Sequence, residues 1–83
     1  MLEIRPNCEC CDRDLPNGAA DARICTFECT FCAECAATRF GGYCPNCGGD
    51  LVRRPTRPAG LLDRAPPSTI RIRKDHRACT AAA

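Results

Sequence analysis

At 83 residues, with 45% hydrophobic and 5% aromatic content, the chain is too short to bury a large apolar core, and its ten cysteines mark a stapled fold. The formal net charge of +2 hides a split, −4 over residues 1–52 and +6 over residues 53–83, so the acidic head is not built to grip nucleic acid. No stretch approaches the ~18 apolar residues of a membrane span, and a single histidine, in the tail, supports no Ser/His/Asp or Cys/His catalytic machinery.

In chain order, MLEIRPN lacks a basic segment followed by an apolar run, which predicts no secretory signal. Leu2 and Ile4 predict a short strand ended by Pro6. NCECCDRDLP follows as a first cysteine knuckle. Cys8 and Cys11 have ligand spacing and Cys10 is the spare; the alternative, Cys10 as ligand with Cys8 free, stays open. Leu15-Pro16-Asn17-Gly18 predicts a turn, and residues 19–23 a polar linker. Ile24, Thr26 and Phe27 predict a strand around Cys25 with Phe27 in the core, and Glu28 reads as a solvated carboxylate.

A helix is predicted to start at Thr30 or Phe31 and to stop at Gly41-Gly42. Cys32 and Cys35 then share one face of its first turn, where backbone N–H groups donate to thiolate sulfur. Phe31 and Phe40 are expected in the core. Cys44-Pro45-Asn46-Cys47 is the last knuckle. Pro45 fixes φ there, and Gly48 or Gly49 supplies the positive φ that frees an amide to approach sulfur. Leu51 and Val52 predict a closing strand. Residues 55–83 hold four of the seven prolines and little apolar periodicity, and are expected to be mostly disordered. Ile70-Arg71-Ile72-Arg73 alternates as a transient strand would, and His76 with Cys79 is too small a set to make a metal site.

The four close pairs, Cys8/Cys11, Cys25/Cys29, Cys32/Cys35 and Cys44/Cys47, supply the eight sulfurs of two tetrahedral thiolate sites. A reducing compartment favours metal over disulfides for such cysteines, and two separate ions without bridging sulfide favour zinc over iron. Sequential pairing would join Cys8, Cys11, Cys25 and Cys29 on one ion. Interleaved pairing would put Cys8, Cys11, Cys32 and Cys35 on site one and Cys25, Cys29, Cys44 and Cys47 on site two. Interleaving is favoured because it ties the two halves of a chain with little core. The expected fold class is a small metal-stabilised α+β domain over residues 1–54, with one short helix and short strands, followed by a disordered basic tail over 55–83.

Cys8-x2-Cys11-x13-Cys25-x3-Cys29-x2-Cys32-x2-Cys35-x8-Cys44-Pro-x-Cys47 resembles the RING-finger pattern, and so implies a RING-like or treble-clef zinc finger. It departs in having Cys29 where many RING fingers have His. NCECCDRDLP, ECTFCAECA and CPNCGGDLVRRP resemble the small bacterial cysteine-rich family DUF1272 over about residues 1–58, which implies a bacterial, cytoplasmic protein. The RING resemblance does not extend to ubiquitin-ligase residues. Glu9 and Cys10 stand where an aliphatic docking residue is usual, there is no Trp, and Gly48-Gly49 follow the last ligand in place of a basic residue.

The expected function is a non-catalytic zinc module that mediates protein–protein interaction, with neither a membrane nor a small-molecule partner. Two alternatives accompany it. One is weak nucleic-acid association through Arg53, Arg54, Arg57, Arg71, Arg73 and Lys74, without interleaved aromatics for base stacking. The other is thiol-based zinc or redox sensing, with Cys10 or Cys79 as the free thiol.

Overall fold

The computed structural model describes residues 2–74, 76 and 79. Strand β1 (Ala22–Ile24) pairs antiparallel on one side with β2 (Thr30–Cys32), setting Ala22 opposite Cys32 and Ile24 opposite Thr30. On its other side it pairs antiparallel with β3 (Val52–Arg53), setting Ile24 opposite Val52, so the strand order is β2-β1-β3. Helix α1 (Ala33–Thr38) leaves directly from the end of β2. The strand residues Thr30 and Phe31 are β-branched and aromatic, whereas Ala33-Glu34-Cys35-Ala36-Ala37 is helix material. That switch in composition places the helix start two to three residues later than the sequence predicts. The Cys32 thiol caps the helix, accepting the Cys35 amide at 3.4 Å. At the other end the Gly42 amide returns to the Ala36 carbonyl at 2.8 Å, through Gly41 and Gly42 at φ 62° and 89°. The predicted glycine stop works as a left-handed helix terminus.

Three other expectations shift. Residues 2–6 form no strand, yet Ile4 is buried and the Pro6 carbonyl accepts the Leu15 amide at 2.8 Å. The strand expected around Cys25 ends one residue before it and takes in Ala22 and Arg23 from the predicted linker. Cys25 instead opens a loop that closes on Cys29, its amide donating to the Cys29 carbonyl at 3.2 Å. Phe27 lies at the tip of that loop and is 71% exposed, so it is not a core residue.

Phe31, fully buried, is the largest side chain of the core, packed with Leu15, Ala22 and six cysteines. Phe40 meets it edge-on at a centroid distance of 4.9 Å. Arg54 is also buried, at 3% exposure. Its guanidinium donates to the carbonyls of Arg5, Leu15 and Pro16, each at 2.8 Å, so the desolvated cation is fully engaged by backbone oxygens. Arg54 thereby clamps the segments on either side of the first knuckle to the strand side of the sheet.

Beyond Pro55, among the described residues, the only regular element is a 3-10 turn at Ala59–Leu61. The stretch is irregular, as its prolines dictate, but its backbone is fastened to the head. The Asn17 amide pairs with the backbone of Arg57 at 3.0 and 2.8 Å, and Arg57 reaches the carbonyls of Leu2 and Ala65. The Ser68 amide donates to the Ile4 carbonyl at 2.9 Å. Residues 4–9 present backbone groups that no strand partner uses, and the tail supplies partners for them.

Candidate metal centres

The first and last knuckles are the same backbone turn. The Cys8 amide donates to the Arg13 carbonyl and the Asp12 amide to the Cys8 carbonyl, at 2.8 and 3.0 Å. In the last knuckle the Cys44 amide donates to Gly49 and the Gly48 amide to Cys44, at 2.8 and 2.9 Å. The residue after the second cysteine is left-handed in both, Asp12 at φ 64° and Gly48 at φ 77°. This turn folds two cysteines spaced by two residues toward one point. It also aims an amide at sulfur, Cys11 N to Cys8 Sγ at 3.5 Å and Asn46 N to Cys44 Sγ at 3.4 Å.

The sheet and helix then bring partners to each knuckle. Cys8, Cys11, Cys32 and Cys35 set their sulfurs within 4.8 Å of one another, and Cys11 and Cys32 are 3.7 Å apart. A tetrahedron of zinc–sulfur bonds near 2.3 Å has edges of about 3.8 Å. This group is anchored by β2 and the first turn of α1, and the Glu9 amide pins the knuckle to the Thr30 carbonyl at 2.9 Å. Cys25, Cys44 and Cys47 form a second group within the same limit. The Cys29 sulfur stands beside it, interacting with the Cys25 thiol and accepting the Asn46 side-chain amide at 3.3 Å. The grouping is the interleaved one.

The donor set suits a divalent metal that takes thiolate ligands. Four sulfurs converge in the first region and three in the second, with the Cys29 sulfur beside them, and amides aimed at sulfur stabilise the charged form: Cys35 N on Cys32, Phe27 N on Cys25 at 3.2 Å, Gly49 N on Cys47 at 3.4 Å. Without a cation the buried and exposed sulfurs hold their protons differently. Burial, helped by the neighbouring Cys32 thiol, pushes the Cys35 thiol well above its ordinary range. Burial likewise raises Cys25, and raises Cys44 to about 12. Cys47 is lowered to about 6 by the Thr26 hydroxyl, at 3.5 Å, and then by the Gly49 amide. A bound dication would draw the protons off all of them.

Two residues of the network carry no sequence signature of their own. The Asn46 side-chain amide joins the Cys29 sulfur to the Glu9 carboxylate, at 2.8 Å from its Oε2, and so links the two knuckles. Thr26 sets its hydroxyl on Cys47. Their donors lie inside or beside cysteine spacings, which is the only hint that the sequence offers. Cys10 lies outside both groups: it is buried and disulfide-bonded to Cys79. It is not a free thiol, and Cys8, not Cys10, faces the first group. His76 sets Nε2 on Glu9 Oε2 at 2.9 Å and packs its ring against Phe31 and Phe40.

The basic residues expected to meet phosphate are dispersed. Arg54 is buried under three carbonyls, and Arg57 is spent on backbone oxygens. Arg71 pairs with Asp12 and Asp14 at 3.1 and 2.8 Å, and Lys74 lies 3.7 Å from Glu9. Arg53 is exposed on β3, and Arg73 is exposed in the tail. They form no continuous stripe.

Residues 1–57 match the family model described as Protein of unknown function (DUF1272). A protein of Rhizobium meliloti (strain 1021), described only as uncharacterised, is 69% identical over 74 residues, covering 89% of this chain and 88% of the relative. No solved structure matches the chain. No helix among the described residues is long and apolar enough to cross a membrane. With its family match spanning both knuckles and the interleaved cysteines, the chain belongs to the DUF1272 family.

Proposed function

We propose that the chain is a non-catalytic, two-zinc module of RING-like or treble-clef type whose role is to hold a surface for a protein partner. The observation that carries this reading is the interleaved pair of cysteine groups, each fed by amides directed at sulfur. Four thiolates saturate a tetrahedral zinc ion and leave no position for an activated water, so the chemistry of the donors is structural. Apart from cysteines, the core cluster is Phe31, Leu15 and Ala22 with Phe40 against it, and metal binding supplies the folding energy that so small a core lacks. A reducing, cytoplasmic compartment keeps the eight thiols available to metal. Partner contact is assigned to the exposed side chains Phe27, Tyr43 and Val52, which no core use explains.

The test is chelation of the metal-loaded chain, followed by far-ultraviolet circular dichroism and amide exchange. Loss of protection in β1, β2 and α1 on removing metal is expected. Full retention of structure in excess chelator would sink the reading. Nucleic-acid association through the tail is the weaker alternative, because Arg54, Arg57 and Arg71 are already committed to the head.

A further inference from the structure

Eight cysteines gather in or beside the two metal groups, and the remaining two meet each other across a sequence separation of 69. We propose that Cys10 and Cys79 form a thiol–disulfide latch, which fastens the chain's own tail, through Ser68, Arg71, Ile72, Lys74 and His76, into a docking strip along residues 4–14. This inference does not rest on the identity of the metal.

The strip reads backbone. The Asn7 side-chain amide grips Ile72 at both ends, Nδ2 donating to its carbonyl at 2.9 Å and Oδ1 accepting its amide at 3.2 Å. The Lys74 amide donates to the Glu9 carbonyl and the Ser68 amide to the Ile4 carbonyl, both at 2.9 Å. Charge follows the same line: Arg71 on Asp12 and Asp14, and Lys74 on Glu9. Glu9 is the centre of the strip. Its side chain is 2% exposed, its Oε2 is held by Asn46 and His76, and its buried Oε1 has no hydrogen bond among the described residues, with Arg5 and Lys74 at 3.8 and 3.7 Å. The tail completes the cover of this carboxylate and sets the Lys74 cation beside it, so removing the tail leaves Glu9, among the described residues, with Arg5 and Asn46 alone.

The ion pairs of Arg71 are at the surface, where each contributes little, the Lys74 ammonium stands 3.7 Å from Glu9 without a hydrogen bond to it, and a segment of this composition has no core of its own to hold it in place. The covalent bond raises the effective concentration of the tail at the strip, so its redox state sets whether the strip is covered. Closing it needs a two-electron oxidant, and a low-molecular-weight disulfide suffices. The Cys10 and Cys79 thiols each give up a proton, their sulfurs join with loss of two electrons, and the small disulfide departs as two thiols. A dithiol reductant reverses the exchange. Opening exposes an acidic, backbone-reading strip beside the Phe31–Phe40 face.

The test uses the full chain, metal-loaded, either reduced by a dithiol or treated with oxidised glutathione. Non-reducing peptide mapping is expected to find an intrachain Cys10–Cys79 bond and no other. Amide exchange at Ser68, Ile72 and Lys74 is expected to slow by about tenfold or more on oxidation. Cys79→Ser, distant in sequence from every knuckle, should exchange like the reduced chain whatever the treatment. Equal protection in both redox states, a bond that draws in a knuckle cysteine, or an interchain Cys10–Cys79 dimer would each overturn the latch.

Discussion

The first and last knuckles share one hydrogen-bonded turn and differ in almost everything around it. Cys8, Glu9 and Cys10 are buried, whereas Pro45, Asn46, Cys47 and Gly48 are exposed. The first is roofed by the tail, floored by β2 and flanked by the Arg54 clamp. The last hangs from the sheet by the Tyr43–Asp50 bridge and the Leu51 amide on the Gly42 carbonyl. The difference separates two things that a cysteine spacing leaves merged. The turn makes a pair of sulfurs converge, and the surroundings decide whether the fold depends on them.

The sharpest way to break that contrast is to remove one sulfur from each knuckle. Cys8→Ser is expected to cost one metal ion and the fold of residues 4–38, because its sulfur is fully buried in the core cluster. Cys47→Ser is expected to cost one ion while β1, β2 and α1 keep their dispersed amide spectrum. Equivalent collapse in both variants would erase the distinction. Next in size is Arg54→Ala, which deletes three charge-assisted hydrogen bonds beside the first knuckle. A loss of about 3 kcal/mol in urea unfolding of the metal-loaded chain is expected. Lysine, with no planar fork, should recover little of it.

Gly49→Ala acts on the last knuckle alone. A Cβ there would sit 2.6 Å from the Thr26 methyl and 3.1 Å from its hydroxyl, so Thr26 must swing off the Cys47 sulfur. A cost of about 1–2 kcal/mol is expected, with faster chelator extraction of one ion and an unchanged rate for the other. The smallest effect belongs to Asp12, the non-glycine residue that takes the left-handed position which Gly48 holds in the other knuckle. Asp12→Gly relieves the left-handed backbone and gives up a surface contact to Arg71 and a hydrogen bond from the Asn7 side-chain amide, which still has the Cys8 and Ile72 carbonyls, so the net change should stay within about 1 kcal/mol. Asp12→Val keeps the strain and loses the contact, and should be clearly less stable.

These particulars show what was legible in the sequence. The four cysteine pairs, the glycine stop at Gly41-Gly42 and the closing strand at Val52 follow from spacing and φ requirements that are local to the chain. The interleaved grouping also followed, because a helix carrying Cys32 and Cys35 has to return to an earlier knuckle. Phe27 misled: next to Ile24 it reads as strand, but the loop that closes Cys25 on Cys29 turns it outward. Arg54 and Glu9 were illegible for the opposite reason. Apart from Arg5 beside Glu9, the hydrogen-bond partners and ions that place these buried charges lie 37 to 67 residues away, and no local pattern encodes those. The tail reads as disordered by composition, and the contacts that fasten it come from the surface it lies on.

The account turns on two separate sites with no shared ligand, and native mass spectrometry of the freshly purified, tag-free chain tests this most directly. Two zinc ions per wild-type chain, and one in Cys47→Ser, are the predicted counts. A single ion in the wild type, or disulfides among Cys8, Cys11, Cys25, Cys29, Cys32, Cys35, Cys44 and Cys47 after gentle denaturation, would contradict it.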